Sequence, residues 1–85
     1  MFEVAFKKRA TKTLARRTPS ERQRILRSLR ALASDPDNTS LDIKPLQGRD
    51  GFRLRIGDWR VLYELDRGRL LILVLEIGQR GEVYK

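Results

Sequence analysis

The segment Phe52-Arg53-Leu54-Arg55-Ile56-Gly57-Asp58-Trp59-Arg60-Val61-Leu62-Tyr63-Glu64-Leu65 alternates with period two and is broken once by a Gly-Asp pair. Successive side chains of a strand point to opposite faces. Phe52, Leu54 and Ile56 therefore share one face, and Arg53 and Arg55 share the other. Gly57-Asp58 predicts a tight turn into a second strand over Trp59 to Leu65. In that strand Trp59 and Tyr63 lie with Val61 and Leu65 on the apolar side, as core rather than as platforms for stacked bases, while Arg60 points the other way. Asp66-Arg67-Gly68 predicts the next hairpin turn. It leads into Leu70-Leu71-Ile72-Leu73-Val74-Leu75, an apolar run typical of a strand buried on both faces. Phe2 to Phe6 alternates as well and predicts a first strand.

Between these strands the period becomes helical. Phe6, Ala10 and Leu14 recur every fourth position, a thin apolar stripe for a short helix over about Lys7 to Arg17. Thr18-Pro19-Ser20-Glu21 reads as N-cap, proline at N1 and a capping-box glutamate at N3. Ile25, Leu26, Leu29, Leu32 and Ala33 then form a buried stripe that Asp35-Pro36 ends, since the residue before proline avoids the helical region. Asp37 to Leu41 is a polar loop too short to link two domains. The expected fold is α+β: two N-terminal helices packed on one face of a four-stranded antiparallel sheet, in the order β-α-α-β-β-β. One domain over residues 1–85 is all that a chain of 85 residues can support.

Composition removes most chemistries. The sequence holds no cysteine and no histidine, which excludes disulfides, thiolate nucleophiles, the usual general base and the commonest metal ligand. Its carboxylates are scattered among arginines, so neither a metal nor another cofactor is expected. No apolar run approaches the roughly 18 residues needed to span a bilayer, so no membrane partner is expected. Met1 leads into apolar residues and then Lys7-Lys8-Arg9, the reverse of a secretory signal, and a cytoplasmic location is expected.

Nineteen basic residues against 11 acidic give a net charge of +8, with 14 arginines among the cations. Such a balance suits a polyanion or an acidic protein. The excess falls in residues 1–34. Arg22, Arg24, Arg27 and Arg30 fall mostly on the outward side of the second helix, either as a solvated face or as a contact for RNA or an acidic partner. Arg53, Arg55 and Arg60, together with Arg80 and Tyr84 further on, could surround one surface. Guanidinium groups so placed would suit a phosphodiester and the extra charge of its transition state. Lys44, Arg49, Glu64 and Glu82 are possible lesser contributors.

Leu46-Gln47-Gly48, the segment Phe52 to Tyr63, and Ile77-Gly78-Gln79-Arg80-Gly81-Glu82-Val83-Tyr84 together resemble the RelE toxins of the RelE/ParE superfamily. The resemblance implies the fold above, mRNA cleavage in the ribosomal A site, and a cognate acidic RelB-like antitoxin. It also implies that Arg60 and Arg80 hold the scissile phosphate and that Tyr84 is the C-terminal tyrosine of the active site. Arg53 and Arg55 stand where many relatives carry lysine. An arginine stays protonated, so this pair is read as electrostatic stabilisation. Gln79 stands where some relatives carry histidine.

RNA brings its own nucleophile, the 2′-hydroxyl, so in-line attack on the phosphate needs orientation and charge stabilisation more than an activated water. The expected activity is thus a metal-independent, ribosome-dependent endoribonuclease. Two alternatives share the scaffold: a ParE-like toxin that poisons gyrase, and a catalytically silent basic module that binds RNA or protein. The antitoxin is expected to cover Leu62 and alternate residues of Leu70 to Leu75, which two helices on one side leave incompletely buried.

Overall fold

The computed structural model describes residues 1–79, and the elements run β1 (Glu3–Phe6), α1 (Lys8–Ala15), α2 (Pro19–Ser34), β2 (Asp42–Pro45), β3 (Phe52–Ile56), β4 (Trp59–Asp66) and β5 (Leu71–Gln79). The α+β class and the two helices on one face match the expectation. The sheet differs in two respects. It has five strands in the order β1-β5-β4-β3-β2, and β1 pairs with β5 in parallel while every other pair is antiparallel. Strand β2 falls in a stretch that shows only four residues of alternation and ends at Pro45, a residue confined to sheet edges because it cannot donate to a ladder. The parallel pair arises because the two helices carry the chain from β1 to β2 at the far edge of the sheet, and the antiparallel meander β2-β3-β4-β5 then returns it beside its first strand.

Helix α2 starts as its sequence predicts. Thr18 Oγ1 accepts from the Glu21 N–H at 3.2 Å and the Thr18 N–H donates to Glu21 Oε1 at 3.1 Å, a complete capping box. Thr18→Ala is expected to cost about 1 kcal/mol of stability, read as a lower urea midpoint at unchanged slope. Helix α1 is shorter than expected. Arg16 and Arg17 close it with N–H bonds to the Thr13 and Leu14 carbonyls, three residues back, which tightens the last turn. Arg22 adds to this end, its Nη2 donating to the Arg17 carbonyl at 3.0 Å and its Nε to that of Leu14 at 3.4 Å.

The core lies between α2 and the sheet, where Ile25, Leu29, Leu32 and Ala33 meet Leu54, Ile56, Trp59, Val61, Tyr63, Ile72, Val74 and Ile77. Phe52 stacks on Tyr63 with ring centroids 5.6 Å apart. The apolar run in β5 is not buried on both faces. Tyr63 pairs with Val74 and Leu62 with Glu76, leaving Leu75 as an unpaired bulge residue. A bulge changes which alternate residues face the core, so Ile72 and Val74 point inward before it and Ile77 after it. Leu71, Leu73 and Leu75 are only half-buried, on the opposite face. Leu70 precedes the strand in a left-handed conformation with φ 53° and is 52% exposed. Leu62, expected to be incompletely covered, is buried at 2% exposure, because it sits in the middle of the sheet between Arg53 and Glu76. Among the described residues no helix is long and apolar enough to cross a membrane.

Candidate functional site

The register of the sheet builds the site. The turn at Gly57-Asp58 pairs Ile56 with Trp59, which places Arg55 directly opposite Arg60 and Arg53 opposite Leu62. Arg55 and Arg53 face Asp42 and Lys44 on β2, and Arg60 faces Gly78 on β5. Two rows therefore cross the face turned away from α2: Asp42, Arg55, Arg60, Gly78 and, beside it, Lys44, Arg53, Leu62, Glu76. Lys44, Arg53, Arg55 and Arg60 are thus brought together on one surface.

Within this set Arg60 is the unusual member. It is 7% exposed, and its Nε and Nη1 are buried with no hydrogen-bond acceptor among the described residues. A guanidinium does not shed its proton, so this is a fixed positive charge whose donors find no acceptor among the described residues, in a place where that costs stability. Arg55 stands opposite, and like charges in that relation are destabilising by about 0.2–1 kcal/mol. Neither feature is explained by packing. An anion between the two side chains would answer both.

The other two positions are more constrained. Arg53 is largely buried; its Nη2 donates to Asp42 Oδ1 at 3.1 Å, and its Nε is buried without an acceptor among the described residues. Arg55 is exposed and its Nε reaches the Gly57 carbonyl at 3.4 Å. Asp42 therefore orients Arg53. The sequence reading missed it, although Asp42-Ile43-Lys44 carries the alternation that would have placed Asp42 and Lys44 on one face.

The remaining expected residues separate from this cluster. Arg80, Tyr84 and Glu82 lie outside the described residues. Arg22, Arg24, Arg27 and Arg30 belong to α2, which packs on the other face of the sheet, so they do not join the Arg60 row. Arg22 closes α1 as described, and Arg24 lays its guanidinium against Gly57, where an added Cβ would lie 2.8 Å from Nη2. Arg27 and Arg30 are exposed on that far side. Arg49 sits in the loop joining β2 to β3, closed by the Leu46 N–H donating to the Gly51 carbonyl at 3.0 Å. That loop folds down onto β4 so closely that a Cβ at Gly51 would stand 2.9 Å from the Tyr63 carbonyl oxygen, at a φ of 115° that favours glycine. Arg49 and Glu64 consequently line a separate groove of about 600 Å³ whose other wall includes Lys7, Lys8, Arg9 and Glu76. Among the described residues no three His, Cys, Asp or Glu side chains gather where they could hold a metal.

Two aromatic residues confirm the distinction between faces. Trp59 is buried on the helix side, with the Arg17 guanidinium over its ring at 5.0 Å from the centroid. Tyr63 is buried too, and burial, helped by the charge of Asp37, pushes its phenol from 10.0 up to about 12. The folded pKa is raised, so the stabilising effect of the neutral phenol is complete below pH 10 and is lost as pH rises from about 10 to about 12. Denaturant titrations in that window should show a steeper loss of stability for the wild type than for Tyr63→Phe, and parallel curves would contradict this.

Comparison with known proteins agrees with the geometry. Residues 4–84 match the family described as ParE toxin of type II toxin-antitoxin system, parDE. A curated relative from Methanocaldococcus jannaschii that carries the RelE1 name is 33% identical, over 99% of this chain and 96% of that protein. The archaeal RelE–RelB complex of Pyrococcus horikoshii contains a chain that superposes with a TM-score of 0.81 at 27% identity, covering 95% of this chain and 97% of that one. For the toxin–antitoxin complex RelBE2 of Mycobacterium tuberculosis the TM-score is 0.78 at 24% identity, with 93% and 98% covered, a likeness of fold. With a family match over nearly its whole length and a sheet that gathers arginines on one face, the chain belongs to the RelE/ParE family of toxins of type II toxin–antitoxin systems.

Proposed function

We propose that this toxin is a ribosome-dependent endoribonuclease that cuts mRNA in the A site. The observation that carries the reading is Arg60, a buried guanidinium with two donors unpartnered among the described residues, directly across from a second arginine. A phosphodiester is the ligand whose charge and acceptors would suit that place. Its non-bridging oxygens would accept from Arg60, and the added charge of the pentacovalent transition state would be met by donors already fixed in a dry setting. In the reaction the 2′-hydroxyl gives up its proton, its oxygen bonds to phosphorus, and the bond to the 5′ oxygen breaks as that oxygen takes a proton. Arginines cannot serve as the base, so proton movement is assigned to Tyr84, whose phenolate neighbouring guanidiniums would favour. Arg80 is assigned a second hold on the phosphate, and Arg53, Arg55 and Lys44 an electrostatic role. The step calls for no metal ion and is expected to take place in the cytoplasm.

The RelE–RelB complex of Pyrococcus horikoshii supports an antitoxin partner for this chain. Leu70, Leu71, Leu73 and Leu75 leave an apolar strip beside the arginine rows, and an acidic antitoxin would cover that strip while neutralising the cations. The test of function is incubation of the purified chain with translating ribosomes, followed by mapping of mRNA ends. Cuts within A-site codons are expected. The ParE family match favours a second reading, poisoning of gyrase, and growth arrest with intact mRNA would select it.

A further inference from the structure

Asp42 is bonded to an arginine other than the one it faces. In the ladder of β2 with β3 its cross-strand partner is Arg55, and the partner of Arg53 is Lys44. A carboxylate and a guanidinium directly opposite on one face are the ordinary charged pair of a sheet. Here Asp42 Oδ1 accepts instead from Arg53 Nη2 at 3.1 Å, a diagonal reach across the ladder, and Arg55 has only the Gly57 carbonyl, at 3.4 Å from its Nε. Among the described residues no other carboxylate pairs with an arginine of the two rows, and Glu76, which shares a row with Arg53, is held by Arg9.

The diagonal contact changes the anion site in two ways. It fixes Arg53, which has the like charge of Lys44 directly across and whose Nε is buried without an acceptor among the described residues. A long side chain with a repelling neighbour and one charge-assisted bond takes its direction from that bond. The contact also turns the nearest carboxylate away from Arg55. Arg55 and Arg60 thus stay a facing pair with no carboxylate bonded to either among the described residues. We infer that Asp42 is a positioning residue for the cleavage step, which touches neither the RNA nor the reacting atoms and acts through Arg53, holding its remaining donors in one direction on the phosphate-binding face. The inference rests on the nuclease reading for the reaction it serves.

The test uses the whole chain with Asp42→Ala, which removes charge and acceptor together, and Asp42→Asn, which keeps an acceptor oxygen without the charge. Single-turnover cleavage on programmed ribosomes gives the rate, and fluorescence anisotropy with a 2′-O-methyl RNA, which cannot be cut, gives the affinity. Asp42→Ala is expected to bind about twofold to fivefold more tightly, since a half-exposed negative charge has left a cationic face. It should cut about tenfold to a hundredfold more slowly, the scale of a misplaced group. A carboxylate that merely steadied the edge strand would not move affinity and rate in opposite directions. Asp42→Asn should bind as tightly as Asp42→Ala and keep most of the wild-type rate. In an Arg53→Met background Asp42→Ala should slow the step no further. Thermal melting checks that each variant folds.

An unchanged rate in Asp42→Ala overturns the inference. So does an Asp42→Asn variant as slow as Asp42→Ala, which would give the carboxylate a charge or proton-transfer role of its own, and so does an equal slowing with and without Arg53. The Arg53 guanidinium is followed separately by nitrogen-15 NMR of the free protein. Resolved Nη signals, the mark of hindered rotation, are expected in the wild type and Asp42→Asn and should average in Asp42→Ala. If the wild type cuts no mRNA but this pattern is seen, the nuclease reading fails and the control of Arg53 by Asp42 stands. If the wild type cuts and the three spectra are alike, the reading stands and the inference fails.

Discussion

Arg60→Met is expected to give a toxin that resists denaturant better than the wild type and cuts A-site mRNA about a hundredfold to a thousandfold more slowly, the loss typical of removing one pre-organised donor from a transition state. The two halves of this result have one cause. In the free protein the Arg60 side chain is buried with Nε and Nη1 unpartnered among the described residues, and each such group costs roughly 1–3 kcal/mol. Methionine fills similar space without polar hydrogens, and it also removes the charge opposite Arg55. A gain of about 1–3 kcal/mol would raise the melting temperature by about 4–24 °C, at about 4–8 °C per kcal/mol for a domain this small. Urea unfolding and single-turnover cleavage on programmed ribosomes measure the two effects. A variant both less stable and fully active would show that Arg60 serves packing and not phosphate.

Arg80→Ala is expected to lower cleavage by a similar hundredfold to thousandfold, corresponding to about 2.7–4 kcal/mol of transition-state stabilisation. The assignment comes from the resemblance of Ile77 to Tyr84 to the family pattern, where this arginine is a second hold on the phosphate. Tyr84→Phe separates binding from proton transfer, because the ring is kept and only the hydroxyl is lost. A fall of about a hundredfold in the single-turnover rate with little change in ribosome affinity is expected if the phenol moves the proton. Antitoxin binding should survive both changes. Full cleavage by Arg80→Ala would move the phosphate site elsewhere, towards the Lys44 side of the arginine rows.

The hairpin of β3 and β4 could be read from the chain because its determinants are local. A two-residue turn leaves one register, and once Ile56 pairs with Trp59 the opposition of Arg55 and Arg60 follows without further information. The start of α2 was legible for the same reason: a capping box is made by residues three apart. The β5 run was less so. Its leucines and branched residues suit a strand with two buried faces, and the bulge at Leu75 that leaves one face half-covered is a response to β4 rather than a property of the run.

The sequence by itself thus determined the α+β class, the helix boundary at Thr18 and the arginine pair across the Gly57 turn, since each depends on residues within a turn or a hairpin of one another. Tertiary structure decided the rest. The parallel pairing of β1 with β5 joins Glu3 to Leu71 across most of the chain, a contact whose loop-closure cost only the assembled core offsets. Arg22 was drawn from the predicted RNA face by the free carbonyls that end α1, a need visible only once both helices are in place. Arg60 looked like one of several alternating arginines. Its burial without acceptors among the described residues, which separates it from solvated neighbours, depends on the strands on either side of it, and burial is a property of the surroundings that a side chain acquires only in the fold.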